Sequence, residues 1–424
     1  MKTLIKNGRL IDPGTRRDGM YDVLIDGEMI VRVEENIKVA ADQVIDAREC
    51  FVVPGFIDLH VHLREPGFEY KETIKTGSLA AARGGYTSIC PMANTKPVAD
   101  SPERIRWLVN KAREDSAVHV LPVGSVTLKM AGEELTDIAG MVSAGAVAIS
   151  EDGKSVMNSK LFKKALIKAK EAGIVVLDHC EDRSLMGGAL NEGAVADRLG
   201  IEGISSDAED LITARDILLA KATGARLHIC HCSTKTSAKL IEMAKANNIF
   251  VTAEVCPHHF TLTDEDIRGD DGNFKMAPPL RGADDKAALI KGLCHKTIDV
   301  IATDHAPHYA DEKSNGIKEA AFGIVGLETA LSLTMTELVH KGLMTPYEMI
   351  DRMSYTPAKI IGIDKGSLAV GKVADITIID PELEYEIKAA DFVSKGKNTP
   401  FEGYKAKGKV LKTIVSGELV YEHK

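Results

Sequence analysis

Three things are scarce in this 424-residue chain: long apolar runs, excess positive charge, and an even set of cysteines. No stretch approaches the ~18 consecutive apolar residues that read as a membrane-spanning helix, and Met1-Lys2-Thr3-Leu4-Ile5-Lys6 leads into no signal-peptide hydrophobic core. A cytoplasmic location with no membrane attachment is the expectation. Lys and Arg number 53 against 62 Asp and Glu, a formal net charge of -9, which argues against a nucleic-acid partner because such a partner wants a basic stripe. Local basic residues can still bind an acidic small molecule. The seven cysteines, at 50, 90, 180, 230, 232, 256 and 294, are odd in number and sit mostly inside apolar runs, which argues against a secreted disulfide framework.

What is present is a set of apolar runs that keep ending in acid or imidazole. His60-Val61-His62 closes the run 51–59. Two histidines at i and i+2 on a strand share a face, so both imidazoles can reach one metal ion where the strand ends. The runs 146–152, 174–179, 226–231 and 299–304 end in Glu151-Asp152, Asp178-His179, His231 and Asp304. Three more runs, 86–91, 118–126 and 249–255, bring no obvious ligand and make the total eight.

Segments of helical periodicity, such as 161–172, 211–223 and 237–247, lie between these runs. The alternation predicts an α/β fold, a (β/α)8 TIM-like barrel over 51–365, whose chemistry belongs at the C-terminal ends of several strands. A barrel takes about 250 residues, so the chain has length to spare, and its 44% hydrophobic content can fill a substantial core. Residues 1–50 and 366–424 read as short strands and turns, which predicts one small β-domain built from both termini.

Strand parity sorts ligands from bystanders. His179 joins Val175 and Leu177 on the inner face, and Asp304 joins Val300 and Ala302, leaving His305 outward. His231 shares parity with Ile229 and is placed inside, so His228 is expected to face the surrounding helices. Cys230 and Cys232 flank His231 on the opposite face, which argues against a Cys-His-Cys zinc cluster. His258 and His259 read as hydrogen-bonded histidines lining the mouth, and Arg83-Gly84-Gly85-Tyr86 as a turn from helix into strand rather than a phosphate cradle.

Asp58-Leu59-His60-Val61-His62-Leu63-Arg64-Glu65-Pro66-Gly67 and Ala302-Thr303-Asp304-His305-Ala306-Pro307-His308, with Lys313 following, resemble the two signature segments of the dihydroorotase family in the amidohydrolase superfamily. The likeness covers nearly the whole chain. It implies a centre of two Zn2+ ions, with His60 and His62 on one, His179 and His231 on the other, Asp304 on the first, and a bridging group from the fourth strand. Many relatives bridge with a carboxylated lysine, but the bacterial members most like this chain place an aspartate there. Ile149-Ser150-Glu151-Asp152-Gly153 matches the aspartate version, so Asp152 is the expected bridge. Lys154 could share its face if the strand continued; Gly153 suggests that the strand has turned into a loop.

The activity implied is the reversible cyclisation of N-carbamoyl-L-aspartate to L-dihydroorotate with loss of water, in pyrimidine (UMP) biosynthesis. Asp304 would carry a proton between water and ring nitrogen. Arg64, two residues past His62 and followed by Pro66-Gly67, offers a planar fork suited to the substrate carboxylate. By resemblance His62, Asn94 and His308 also bind substrate, and Phe322-Gly323 lies against the ring. The chain departs from the pattern at Ala277, where many relatives have asparagine, and no substrate contact is carried over there. The competing readings are another cyclic amidohydrolase (allantoinase, or dihydropyrimidinase/hydantoinase), which usually carries the lysine bridge, and a non-catalytic scaffold for aspartate transcarbamoylase, which needs broken ligand sets. The family suggests a homodimer and raises association with aspartate transcarbamoylase.

Overall fold

Gly55 divides the first apolar run in two. In the computed structural model, which describes residues 1–423, Phe51–Pro54 is one strand and Phe56–Val61 another. A Cβ on Gly55 would lie 2.1 Å from Thr87 Cγ2, so only glycine fits this crossing between two sheets. Phe51–Pro54 pairs antiparallel with Ile376–Ile379 and parallel with Arg9 and Leu10, so it belongs to the sheet of the chain termini rather than to the barrel.

Phe56–Val61 opens the barrel, followed by Tyr86–Pro91, the split pair His119–Val120 and Val123–Ser125, then Ala148–Ser150, Val175–Asp178, Leu227–Ile229, Val251–Val255 and Val300–Ile301. Each strand pairs in parallel with the next. A parallel bridge from Val61 to His305, with His62 N–H donating to His305 O at 2.9 Å, closes the ring. These are the eight predicted runs, joined by helices such as Ile74–Arg83, Ser159–Glu171 and Lys235–Ala246, each started by a side-chain cap from Thr73, Asn158 and Thr234.

Two apolar layers follow from alternation along the strands. Ile57, Leu59, Val123, Ala148, Val175, Leu177, Val300 and Ala302 fill the barrel interior. Phe56, Ile149, Val176, Leu227, Ile229, Ala253 and Ile301 face the helices. Two further sheets lie outside the barrel, the first built from residues 2–46 and the second from both ends of the chain with Phe51–Pro54. One orders Met29–Glu34, Asp22–Asp26, Lys2–Lys6 and Gln43–Asp46; the other runs Glu418–Glu422, Lys405–Val415, Ile376–Glu386, Phe51–Pro54, Arg9–Asp12 and Arg17–Met20. Ile5, Leu10, Val23, Ile25, Val52, Ile376 and Ile414 form their shared core.

Gly55→Ala forces its methyl into Thr87, an overpacking that costs about 1–3 kcal/mol. A lower denaturant midpoint at unchanged slope is the expected outcome; a wild-type midpoint would show that the crossing has slack.

Candidate metal centre

The donors converge because the strands stop being regular where they reach the barrel mouth. In the first strand the pairing register slips between Asp58 and Val61. Leu59 therefore stays in the interior layer, Val61 packs toward the helices, and His60 and His62 both reach the centre. His231 (φ 31) and Asp304 (φ 45) have left the extended conformation, which swings their side chains inward. Asp152 follows Ala148 and Ser150 on one face, and its N–H donates to Ser150 Oγ at 3.1 Å.

Asp152 sits amid four imidazoles. Its Oδ1 lies 3.1 Å from His60 Nε2, 3.5 Å from His179 Nδ1 and 3.7 Å from His231 Nε2; its Oδ2 lies 3.5 Å from His62 Nε2 and accepts from Asn94 Nδ2 at 3.2 Å. Asp304 Oδ1 is 3.0 Å from His62 Nε2 and 3.5 Å from His60 Nε2. His179 Nδ1 and His231 Nε2 face each other at 2.9 Å. All six side chains are buried. The sequence-predicted ligands are thus brought together, with the aspartate between the two histidine pairs.

The electrostatics are those of a cation site. Burial opposes charge on His60, but the carboxylates of Asp304, Asp152 and Glu254 hold it well above the ordinary value for histidine. Burial likewise opposes charge on His179, yet Asp152 and Glu181 raise it to about 10. Against their own burial, His60 and its neighbours hold Asp152 well below the usual carboxylate range and lower Asp304. Buried His60 Nε2 and Asp152 Oδ1 stand close together yet make no hydrogen bond, and the Asp152 oxygen has no other partner. A buried ring nitrogen and carboxylate oxygen left unpaired in a dry site are groups that a cation between them would satisfy. Imidazole and carboxylate donors at this density fit a divalent metal ion. Lys154 is elsewhere: Gly153 (φ 78) turns the chain, and Lys154 Nζ donates to Met130 O at 3.1 Å.

Beside this cluster lies a cationic pocket. Arg64 (φ 61) donates from Nε to Pro307 O at 3.2 Å, and its Nη2 is 3.4 Å from His308 Nε2. Among the described residues no carboxylate forms an ion pair with it. His308 is pushed down to about 3 by burial and by Arg64 and Lys71, so it stays neutral, and its Nε2 is 2.8 Å from Phe322 O. His62 Nδ1 is 3.0 Å from Asn94 Oδ1. Lys313 Nζ donates to Lys275 O, Ala321 O and Gly323 O at 3.1, 2.7 and 2.9 Å and so fixes the Phe322-Gly323 turn. A Cβ on Gly323 (φ 153) would lie 2.6 Å from Ala306 O.

A family model described as dihydro-orotase-like matches residues 50–237, and one described as amidohydrolase family matches 324–421. The dihydroorotase of Pelotomaculum thermopropionicum is 50% identical over 423 residues, covering 100% of this chain and 99% of that one. That of Citrifermentans bemidjiense is 48% identical over 424 residues and covers both chains completely. The chain belongs to the dihydroorotase family. Among solved structures it is similar to the L-hydantoinase (dihydropyrimidinase) from Arthrobacter aurescens, at TM-score 0.90 and 26% identity over 99% of this chain and 96% of that one. The dihydropyrimidinase from Brevibacillus agri follows at TM-score 0.87 and 26% identity, over 100% and 95%. These neighbours agree with the predicted (β/α)8 barrel carrying a β-domain.

Within this dihydroorotase fold the parity of the sixth strand is the reverse of that expected, which also places Cys230 in the interior layer. Ile229 packs toward the helices, so its alternate His228 faces the barrel interior, where Nε2 lies 3.1 Å from Glu254 Oε2. His231 comes inside because its backbone turns, not because it shares a face with Ile229. Glu254 itself, fully buried in Val251–Val255 with Oε1 2.7 Å from His60 Nδ1, escaped sequence reading. An acid inside a mostly apolar strand is the available signal. His258 and His259 are buried just past that strand; His259 Nε2 is 2.9 Å from Pro278 O, whereas His258 Nε2 has no hydrogen-bond partner.

Asp152→Ala is expected to lose at least one divalent ion per chain and Lys154→Ala to keep the full complement, as read by metal analysis after gel filtration. Loss of metal from Lys154→Ala with retention in Asp152→Ala would reverse the assignment.

Proposed function

We propose that this chain interconverts N-carbamoyl-L-aspartate and L-dihydroorotate at a centre of two Zn2+ ions held by His60, His62, Asp152, His179, His231 and Asp304. Asp152 is the bridge. The observation that carries the reading is an arginine without an acidic partner, Arg64, beside a donor cluster centred on an aspartate. Dihydroorotate has a fixed carboxylate for that arginine, whereas dihydropyrimidinase substrates have none.

Bound divalent ions would lower the pKa of a water toward neutrality and polarise the ring carbonyl. The protein's own groups do the rest. Arg64 grips the substrate carboxylate through its planar fork, with Asn94 and neutral His308 completing the pocket and Phe322-Gly323 lying against the ring. Asp304, held ionised beside His62, accepts the proton of the attacking water. It then delivers that proton to the ring nitrogen, which must be protonated to leave. In the biosynthetic direction Asp304 takes a proton from the ureido nitrogen as it closes the ring.

The catalytic module proposed over 51–365 begins after Phe51–Pro54, which pairs within the composite β-module of 1–50 and 366–424. Among the described residues no helix is long and apolar enough to cross a membrane. The same reading expects a cytoplasmic homodimer, with aspartate transcarbamoylase as the protein partner to test.

The discriminating experiment assays the purified, zinc-loaded chain on dihydroorotate, hydantoin, dihydrouracil and allantoin. Dihydroorotate should turn over fastest; faster turnover of any other would move the chain to a neighbouring activity. Arg64→Lys keeps the charge but loses the fork, so kcat/KM for dihydroorotate is expected to fall about 10- to 1,000-fold with zinc retained. Asp304→Asn should nearly abolish turnover even where metal remains, and a wild-type rate in either variant would remove that residue from the site. Ring closure converts a dianion to a monoanion and consumes one proton. The equilibrium ratio of ring to open form should therefore fall tenfold per unit rise in pH between about 6 and 8, above reference carboxyl values. A pH-independent ratio would exclude the reaction.

A further inference from the structure

Beneath the proposed ligands, one carboxylate touches both halves of the centre. Glu254 Oε1 lies 2.7 Å from His60 Nδ1 and accepts the main-chain N–H of His231 at 3.2 Å. His60 belongs with His62, and His231 with His179. The second oxygen, Oε2, lies 3.1 Å from His228 Nε2, and His228 Nδ1 is 2.8 Å from Thr252 Oγ1. Glu254, His60 and His228 are all fully buried.

This arrangement answers two separate needs. A neutral imidazole carries its proton on either nitrogen, and only the Nδ1–H form leaves the His60 Nε2 lone pair for a metal. A carboxylate 2.7 Å from Nδ1 selects that form and fixes the ring plane. His231 is held in the left-handed region at φ 31, a conformation a non-glycine residue keeps only when its surroundings over-determine it. The bond from its N–H to Glu254 supplies that hold. A buried carboxylate persists only where donors surround it, and here His60, His228 and the His231 N–H do so.

We propose that Glu254 is a positioning residue that sets His60 and His231 through one oxygen, so that the two metal subsites are ordered together, with His228 and Thr252 anchoring the other oxygen. The proposal rests on the two-ion reading of the site. It explains why a histidine that does not approach the donor cluster is buried inside the barrel: His228 pins the carboxylate that pins two of the ligands.

The test is the Zn2+ dissociation constants of the full-length chain, measured by competition with a chromophoric chelator, together with the visible spectrum of the Co2+-loaded form. Glu254→Leu is expected to weaken both ions by about 10- to 100-fold and to shift the Co2+ bands. Glu254→Gln should recover most of the affinity, since its amide oxygen can still accept from His60 and His231 while its NH2 faces His228. His228→Phe, which leaves every ligand and Glu254 in place, should weaken both ions by a smaller factor and provides the test if Glu254→Leu does not fold. A folded Glu254→Leu or His228→Phe with wild-type affinities and an unshifted spectrum would overturn the proposal, as would loss confined to one ion. Wild-type chain that binds no zinc would instead overturn the two-ion reading, and this inference with it.

Discussion

Taking a carboxylate out of water costs several kcal/mol unless donors or cations surround it, and meeting that demand for Asp152 organises the whole barrel mouth. The imidazoles of His60, His62, His179 and His231 come from three different strands to face its two oxygens. Asp304 adds a second carboxylate on the His60 and His62 side. Two acids and four bases packed this tightly are balanced by protons or by metal, and the buried nitrogen and oxygen that face each other without a hydrogen bond favour metal.

Regular strands could not produce this arrangement. The register slip between Asp58 and Val61 puts Leu59 and His60 both inside, and positive φ at Arg64, His231 and Asp304 turns those side chains toward a common point. Such departures cost energy and persist where surrounding contacts fix them. Here the fixing contacts are Pro307 O on Arg64 and Glu254 on His231. The cationic pocket uses the same logic: Lys313 ties three carbonyls so that the Phe322-Gly323 turn closes against His308.

The legible part of the fold was the part with strong hydrophobic contrast. Apolar runs, five of them ending in ligands, mark the eight barrel strands, and Asp152 and His179 lie on the faces that simple alternation assigns them. Alternation failed at His228 and His231 because a backbone turn at one residue changes which face the next side chains meet. Glu254 was hidden because its partners His60 and His228 are far away in sequence. Phe51–Pro54 reads as barrel because nothing local reveals that its partners lie at both chain ends.

Asp152 is proposed to stand between two metal ions. Anomalous scattering at the zinc edge from crystals of the zinc-loaded chain tests it most directly. Two peaks about 3.5–4 Å apart are expected, one beside His60 and His62 and one beside His179 and His231, with an oxygen of Asp152 touching each. A single peak, or a pair bridged by any other side chain, would contradict it.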